Sequence, residues 1–385
     1  MPVRHSLLTG SLVLVLMAGC SSTPVRPKPG PLPSLPAAPV QLQKDWSVRA
    51  GDGALKDDVV SLRPAVSAGM TLVAGINGVL QSVDDQGKVL WRDKTGLTLT
   101  GGLSAGYGRV AAGTTKGEAA LWNIADGKQL WKVNLSAAVL SPPVQTQDKV
   151  IFKTNDGKVA ALDPVSGKTV WTYDTPVPAL SLRGYAPPLL DNDLLLVPTA
   201  VGKVVAIEAA TGIGQWEAQV VSPKGRSEIE RLVDINGDML VTDDKKLLVA
   251  GYQGQLSALD IRDRPDPLWD MDASTLQGLS AGDDKVFLAD ADGKVIAVDI
   301  VTGKAIWKQE ALAWRSLSNT VFIGGRVLVG DEQGYLHVLS ASDGRIIGRA
   351  RVSGAVSSLT LVNGKLLAAT RSGSVSRWSL PSASQ

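Results

Sequence analysis

The chain has 385 residues, with 39 basic and 37 acidic side chains, a formal net charge of +2, one cysteine and two histidines. So small a net charge argues against nucleic-acid binding by counterion release. One cysteine cannot form an intramolecular disulfide or a thiolate zinc site, and His5 lies at the extreme N-terminus, which leaves His337 as the one histidine of the main body. Zinc hydrolase chemistry and Ser/Cys–His catalysis are therefore not expected, and no cofactor or metal site is predicted.

Residues 1–19 are typical of an export signal. Arg4 supplies the positive charge, and the apolar stretch that follows is too short to span a membrane as a mature helix. The stretch ends in L-M-A-G-C, which resembles the bacterial lipobox, and its cysteine, Cys20, is the only one in the protein. The resemblance implies that Cys20 carries the lipid anchor; the alternative is a chance cysteine after an ordinary signal peptide. Because serine rather than aspartate follows, the lipoprotein sorting rule implies the periplasmic face of the outer membrane of a Gram-negative bacterium.

Residues 20–44 are predicted to be the acylated cysteine and a tether. The segment 21–44 contains seven of the 21 prolines and few charges. An extended proline-rich chain of this length could reach about 70 Å from the bilayer.

A unit of about 40 residues repeats from residue 45 onward. Each copy begins with a glycine and has an apolar residue five positions later, and most copies have a tryptophan about fourteen positions after the glycine. Short strands bounded by Gly, Asp and Asn turns, four to a unit, are typical of a β-propeller blade. The eight copies begin at Gly78, Gly117, Gly157, Gly202, Gly254, Gly293, Gly334 and Gly373.

The two chain ends are predicted to close the ring. Six copies have the tryptophan of the fourth strand, Gly348 replaces it in the seventh copy, and the eighth copy ends before a fourth strand. An orphan strand with Trp46 precedes the first copy. Pairing this strand with the last blade closes the ring and leaves only short sheet edges exposed. An open solenoid of the same units would need neither an extra strand at its start nor a missing strand at its end. We therefore predict an all-β, eight-bladed propeller over residues 45–380, with the repeat-register tryptophans in its core and Trp314 outside the register.

Two intervals between the repeat glycines are long, at 45 and 52 residues against 39 to 41 for the others. The extra residues lie at 175–184, which contains L-S-L-R-G, and at 221–236, which contains E-I-E-R-L-V-D-I-N. Since inter-blade loops gather on one face of a propeller, this face is a candidate functional surface.

The repeat A-[LIV]-[DE]-x-x-[ST]-G-x-x-x-W resembles that of pyrroloquinoline-quinone (PQQ) propellers. Over the whole chain, including signal, lipobox and both insertions, the sequence resembles the outer-membrane protein assembly factor BamB. The resemblance implies a non-catalytic scaffold that binds the periplasmic POTRA repeats of BamA and aids the folding and insertion of outer-membrane proteins, with unfolded outer-membrane proteins as a second possible partner. The partner-binding residues it implies are Leu180, Leu182, Arg183, Asp234 and Asn236; the last departs from the aspartate of the family.

Three alternatives stay open at this point. Leu180 and Leu182 could be core residues of an inner strand, with Arg183 paired internally to Glu228, Glu230 or Asp234. The chain could be a periplasmic PQQ-dependent dehydrogenase, although that family resembles only the blades and uses a vicinal cysteine pair. It could also be a propeller scaffold for another envelope complex. His337, at a polar strand position, has no predicted partner.

Overall fold

The computed structural model describes residues 27–53, 62–178, 186–222 and 233–381. These residues form eight antiparallel four-stranded sheets. In seven sheets the four strands follow one another in the chain and pair in that order, and the eighth combines three C-terminal strands with the first strand of the chain. The predicted all-β, eight-bladed propeller is confirmed.

Strand β1 (Gln43–Arg49) comes before the first complete blade. We number the blades from there, and each is given from its inner to its outer strand. Blades 1 to 4 consist of β2 (Ala65–Ser67), β3 (Met70–Ala74), β4 (Val79–Val83) and β5 (Val89–Lys94); β6 (Leu99–Gly106), β7 (Arg109–Thr114), β8 (Glu118–Asn123) and β9 (Gln129–Asn134); β10 (Val144–Gln145), β11 (Val150–Lys153), β12 (Lys158–Leu162) and β13 (Thr169–Asp174); β14 (Leu189–Asp191), β15 (Leu194–Pro198), β16 (Lys203–Glu208) and β17 (Gly214–Gln219).

Blades 5 to 8 follow the same plan, except that β1 is the outer strand of blade 8. They consist of β18 (Leu240–Val241), β19 (Lys246–Ala250), β20 (Gly254–Asp260) and β21 (Asp266–Ala273); β22 (Ser280–Gly282), β23 (Lys285–Ala289), β24 (Val295–Asp299) and β25 (Ala305–Gln309); β26 (Val321–Ile323), β27 (Arg326–Gly330), β28 (Tyr335–Ser340) and β29 (Ile346–Arg351); β30 (Val356–Val362), β31 (Lys365–Thr370), β32 (Ser374–Ser379) and β1.

The burial pattern of each strand reflects its place in the blade. Third strands such as β12 are buried on both faces, because a neighbouring blade covers each side, and their alanines let the sheets approach closely. Outer strands such as β13 instead alternate between exposed side chains and the partly or fully buried ones, Trp171 and Tyr173. The core is therefore a series of apolar layers between successive blades.

The two ends of the chain close the ring, as predicted. Strand β1 pairs antiparallel with β32, from Gln43 opposite Ser379 to Arg49 opposite Ser374. Asp45 adds ionic contacts to Arg377 at 3.2 Å and to Lys365 at 4.0 Å. Every blade of the ring thus has four strands.

The repeat tryptophans and glycines form one contact between successive blades. The indole N–H of Trp46 donates to the carbonyl oxygen of Asp85 in blade 1, at 3.2 Å, and the ring lies against Gly87. Gly87 has a φ of 79°, a backbone conformation that favours glycine, and a Cβ atom there would overlap the indole. Both the shape of the turn and the close approach of the ring therefore require glycine. The same pairing of an indole N–H with a backbone carbonyl of the next blade occurs at Trp91, Trp131, Trp171, Trp269 and Trp307.

Gly348 interrupts this series because blade 8 has no hairpin between its third and outer strands. In blade 8 the two ends of the chain lie where the other blades have this hairpin, so a tryptophan at position 348 would have no turn to contact. Val40 occupies the place instead: it forms a parallel bridge with Gly348, and its N–H donates to the carbonyl oxygen of Ile347 at 2.7 Å. We call residues 30–42, which include this contact, the N-terminal strap.

Antiparallel order within each blade sorts the loops onto two faces. The connections from one outer strand to the next inner strand share a face with the turns between second and third strands. We call it the connection face; it includes the connections 175–188 and 220–239. The connection 50–64, which crosses the ring closure, is also long. Intervals between repeat glycines do not span it, so the sequence pattern identified two long connections and missed the third.

Candidate partner-binding face

The predicted partner-binding residues divide between described and undescribed parts of the connection face. Leu180, Leu182 and Arg183, and the acidic residues Glu228 and Glu230, lie outside the described residues. The flanks of both insertions are described, and they fix where each insertion leaves and rejoins the propeller. The first joins blade 3 to blade 4, and the second joins blade 4 to blade 5. Their bases are therefore neighbours on the ring.

Asp234 and Asn236 are buried rather than exposed. Their relative exposures are 1% and 4%, and both lie in the segment that leads into the inner strand β18. The backbone carbonyl of Asp234 accepts a hydrogen bond from the N–H of Tyr252 at 3.2 Å. Gly237 lies so close to the carbonyl oxygen of Gln277 that a Cβ atom would collide with it. Asp234 and Asn236 are therefore part of the buried segment that follows the second insertion in the chain and leads into blade 5.

Lys153 lies at the end of β11 and contacts the backbone where the first insertion returns to the propeller. Its Nζ donates to the carbonyl oxygen of Ala186 at 2.9 Å and to that of Pro198 at 3.0 Å. Burial lowers the pKa of Lys153 to about 8, and the nearby negative charge of Asp234 opposes this shift. The ammonium group of Lys153, in blade 3, thus donates hydrogen bonds to two backbone carbonyl groups that belong to blade 4 and the segment leading into it.

Sequence reasoning missed Lys153, although the repeat register contains a signal. In each blade, the residue before the turn between the second and third strands is small or is proline, apart from this lysine. The position faces the segment that leads into the next blade: Cβ atoms at Gly113 and Gly330 would collide with Val139 and Val356. The other residues at this position are Ala74, Pro198, Ala250, Ala289 and Ala369.

A second feature of the connection face is an ion pair across the central channel. Arg63 precedes the inner strand of blade 1, and its guanidinium pairs with the carboxylate of Asp238, which precedes the inner strand of blade 5. Blades 1 and 5 are on opposite sides of an eight-bladed ring. The surrounding cavity, of about 420 Å³, is lined by mixed apolar and polar residues of seven blades. The pair thus joins the connection before blade 1 to the segment that leads from the second insertion into blade 5.

A buried polar network in blade 7 holds the start of the strap. Arg315 donates to Asp331 Oδ2 at 3.2 Å and to the carbonyl oxygen of Gly30 at 2.7 Å. His337 Nε2 lies 3.0 Å from the same Asp331 oxygen, so the prediction that this histidine has no partner is wrong. Burial lowers the pKa of His337, which favours the neutral ring. Burial alone would raise the pKa of Asp331, but hydrogen bonds from His337, Tyr335 and Arg315 outweigh it, and the pKa of Asp331 is lowered.

The strap continues from this network to the outer edge of blade 7. Arg349, on β29, donates to the carbonyl oxygen of Pro33 at 2.8 Å, and Leu35 packs against the core between blades 6 and 7. Val40 and Leu42 pack against the core between blades 7 and 8. Since Arg315 and Asp331 are on the connection face, Gly30 lies at the face from which the two insertions leave the blades.

The described residues include no cluster of three or more His, Cys, Asp or Glu side chains placed to hold a metal ion. The same part of the chain contains no helix that is long and apolar enough to span a membrane. The polar contacts described on the connection face near the bases of the insertions are the hydrogen bonds of Lys153 and the ion pair of Arg63 with Asp238.

Comparisons with known proteins identify close relatives of the whole chain. A family model described as "Outer membrane protein assembly factor BamB" matches residues 76–309 and 292–380. The Yersinia pestis protein of that name is 31% identical, over 97% of this chain and 99% of its own, and the Pseudomonas aeruginosa one is 36% identical over 91% of each.

Solved structures show the same fold. The crystal structure of BamB from Moraxella catarrhalis superimposes with a TM-score of 0.81 at 33% identity, covering 88% of this chain and all of that one. A quinohemoprotein alcohol dehydrogenase from Comamonas testosteroni gives a TM-score of 0.70 at 14% identity. The second likeness concerns the propeller fold alone.

Proposed function

Because the chain belongs to the family of the outer-membrane protein assembly factor BamB, we propose that it is a non-catalytic scaffold lipoprotein of the β-barrel assembly machinery. The observation that carries the proposal is the relationship to BamB proteins over nearly the full length of the chain and of its relatives. A likeness confined to the blades would support no more than the fold. The scaffold would aid the folding and insertion of outer-membrane proteins.

The partner proposed for the connection face is the periplasmic POTRA repeats of BamA. In this proposal Leu180, Leu182 and Arg183 contact the partner directly. Asp234 and Asn236 are buried, and their proposed role is to hold the second insertion in place from beneath. The described bases of the two insertions are neighbours on the ring, so the blades fix their spacing before a partner binds, which reduces the ordering that binding requires.

The proposed location is the periplasmic face of the outer membrane, with Cys20 as the lipidated residue. Because the strap is held from Gly30 onward, only residues 21–29 separate Cys20 from the part of the chain that contacts the propeller. At about 3.1 Å per residue this segment reaches about 30 Å, less than half the reach of the whole proline-rich stretch. The propeller would therefore stay close to the membrane, and its connection face would be near the anchor.

Affinity purification of the lipidated protein from solubilised envelopes of its native host tests this function. We expect BamA among the retained proteins, and a variant lacking residues 179–184 should lose it. Recovery of a different envelope complex, without BamA, would favour the general scaffold instead. An absorption spectrum of the pure protein with added PQQ and calcium tests the quinoprotein alternative, for which a stoichiometric bound-quinone band is the positive result.

A second candidate function is capture of unfolded outer-membrane strands at the blade edges. Its support is the strap, since Val40 already adds an extended segment to the edge of β29. Other outer strands expose an aliphatic side chain where β29 has the partly buried Ile347, just before the tryptophan position. These exposed residues are Leu90, Leu130, Val170, Leu268 and Ile306.

The test uses a fluorescent peptide with the alternating apolar and polar residues of a barrel strand. We expect saturable binding that weakens in Ile306→Asp, with Val301→Asp, a change at an exposed turn residue, as the control. Equal binding to parent and variant would rule out this edge as the capture site.

A further inference from the structure

We propose that the N-terminal strap is a pH-controlled cover for the edge of blade 7. While His337 is neutral, Arg349 holds the strap against β29; when His337 gains a second proton, Arg349 is repelled and the strap loosens. Loosening leaves the edge strand β29 open to an extended segment of another chain. That last consequence rests on the second candidate function, strand capture, whereas the release itself stands on contacts within this chain.

Few contacts attach the strap to blade 7. Four prolines in residues 30–42 have no N–H to donate, which limits pairing with β29, and the apolar side chains that pack against the blades are only partly buried. The described hydrogen bonds of the strap to the propeller are those of Gly30 with Arg315, Pro33 with Arg349 and Val40 with Ile347. The loss of one of them therefore weakens the docking of the whole strap.

The imidazole of His337 makes one of these contacts depend on a proton. Its Nε2 lies 3.0 Å from Asp331 Oδ2, and its Nδ1 lies 3.5 Å from Nε of Arg349. A carboxylate oxygen only accepts and a guanidinium nitrogen only donates, so this arrangement requires a proton on Nε2 and a lone pair on Nδ1. That is the neutral ring. The same guanidinium donates through Nη2 to the carbonyl oxygen of Pro33 at 2.8 Å.

A second proton on the ring would lie on Nδ1 and face the guanidinium of Arg349. The contact would then join two donors and two cations, and it would become repulsive. Arg315 is 3% exposed and is paired with Asp331, which holds it in place. The side chain of Arg349 is only partly buried, so it can swing outward. Doing so breaks its hydrogen bond to Pro33.

The charged groups that act on His337 come from three elements. Asp331 follows β27, Arg315 precedes β26, and Arg349 lies on β29 directly opposite His337; the aromatic ring of Tyr335, on the same strand, is 6.1 Å away. Burial lowers the pKa of His337 most, Asp331 raises it, and both arginines lower it. The docked strap therefore has a neutral ring at pH 7. Because docking lowers this pKa below about 6.5, docking is most stable above that pH and weakens as the pH falls.

The first experiment measures hydrogen exchange at residues 38–42 between about pH 7.5 and about pH 4.5. It compares the parent with His337→Gln, whose amide can donate to Asp331 and accept from Arg349 but takes up no proton. Both proteins are measured at each pH, so the intrinsic pH dependence of exchange cancels. We expect equal protection at neutral pH and about tenfold faster exchange in the parent at the acid end. Equal protection of the two proteins at every pH would overturn the proposal.

Arg349→Met tests whether this arginine holds the strap, because it removes the donor to Pro33. Its matched control is Arg345→Met, at an exposed turn position of the same hairpin. We expect fast exchange of the strap in Arg349→Met at every pH and parental exchange in the control at pH 7. A strap equally protected in both variants at pH 7 would also overturn the proposal.

Nitrogen NMR of the imidazole tests the proton itself and decides the matter if His337→Gln fails to fold. His5 is the other histidine of the chain, so His5→Gln leaves His337 as the one histidine signal. We expect the neutral ring with its proton on Nε2 at pH 7 and a pKa below about 6.5. A charged ring at pH 7, or a neutral ring with its proton on Nδ1, would contradict the arrangement on which the release depends.

The consequence for binding is measured with an uncharged fluorescent peptide that has the residue pattern of a barrel strand. We expect additional binding to the parent at about pH 5 over that at pH 7, and none to His337→Gln. Faster strap exchange without additional binding would refute strand capture at β29 and leave the release intact. Additional binding of equal size in both proteins would show that His337 does not control the edge, and it would overturn the proposal.

Discussion

The carbonyl oxygen of Val40 occupies the space that a Cβ atom at position 348 would need, and Gly348 lies where the other repeats have a tryptophan. The loss of the tryptophan and the docking of the strap are therefore one feature of the fold. It occurs in blade 7 because its neighbour, blade 8, is the blade that the chain ends complete.

Gly348→Ala should displace Val40 from the edge of β29. Overpacking of this kind costs about 1–3 kcal/mol, and the strap should become more accessible while the blades stay folded. Urea unfolding and hydrogen exchange at residues 38–42 measure the two effects. Gly106→Ala is the control, since a Cβ atom there meets nothing within 4 Å. Identical exchange of the strap in the parent and in Gly348→Ala would contradict this account of the glycine.

Trp46→Ala should weaken ring closure. The indole is 7% exposed, packs on Gly87 and donates to the carbonyl oxygen of Asp85 in blade 1. Truncating a buried tryptophan costs about 3–5 kcal/mol, so the melting temperature should fall by several degrees. Leu90→Ala, at a half-exposed outer-strand position, should change little. Removing residues 1–50 should be more damaging still, and a truncated protein that melts like the parent would refute closure by the chain ends.

The repeat pattern was sufficient to predict the blade number and the closure, because each blade repeats the same local sequence. Of the seven tryptophans at the repeat position, three are buried and four, Trp91, Trp216, Trp269 and Trp307, are only partly buried. The register even placed Gly348 at the seventh tryptophan position. The reason for that glycine could not be predicted, since it depends on a contact with Val40, some 300 residues earlier in the chain. The strap itself lies within the stretch predicted to be a tether, because proline content indicates extended chain and not what the chain contacts.

The candidate site was less predictable than the fold. The sequence located the insertions that bear the predicted binding residues, but Asp234 and Asn236, expected at the partner surface, are buried. Their burial, the partner of His337 and the link from Lys153 to Ala186 all depend on packing between blades. Such contacts leave no periodic signal, whereas an unusual residue at a repeat position, such as Lys153, does.

Stability should depend on pH through Lys153. Its pKa is about 8 in the folded protein against the ordinary 10.5, so between these values the unfolded chain binds more protons, and stability should rise with pH. The gain is at most about 3 kcal/mol and is complete above the unfolded pKa. Lys153→Arg stays charged throughout and should lack it. Urea unfolding of both proteins from about pH 7 to pH 10 measures the difference; parallel curves would contradict the assigned shift.

Cys20→Ser should release the folded protein from membranes, because the sequence contains no other cysteine for acylation. A protein without its acyl chains would keep only partner contacts to hold it at the membrane. Fractionation in a strain lacking the partner separates the two contributions, with circular dichroism to check the fold. Retention in the outer-membrane fraction as firm as that of the parent would mean that Cys20 is not the anchor.

Binding of Leu182→Ala and Arg183→Glu to the purified BamA periplasmic repeats is the decisive test of the proposed partner-binding face. Matched controls on the opposite face are Ile213→Ala and Arg345→Glu, both at exposed turn residues. We expect a loss of affinity of about thirtyfold for each insertion variant, as for interface anchors worth about 2 kcal/mol, with the melting temperature of the parent and with unchanged affinity in the two controls. Parental affinity in both insertion variants would contradict it, and lost affinity together with a collapsed melting temperature would instead place these side chains in the core.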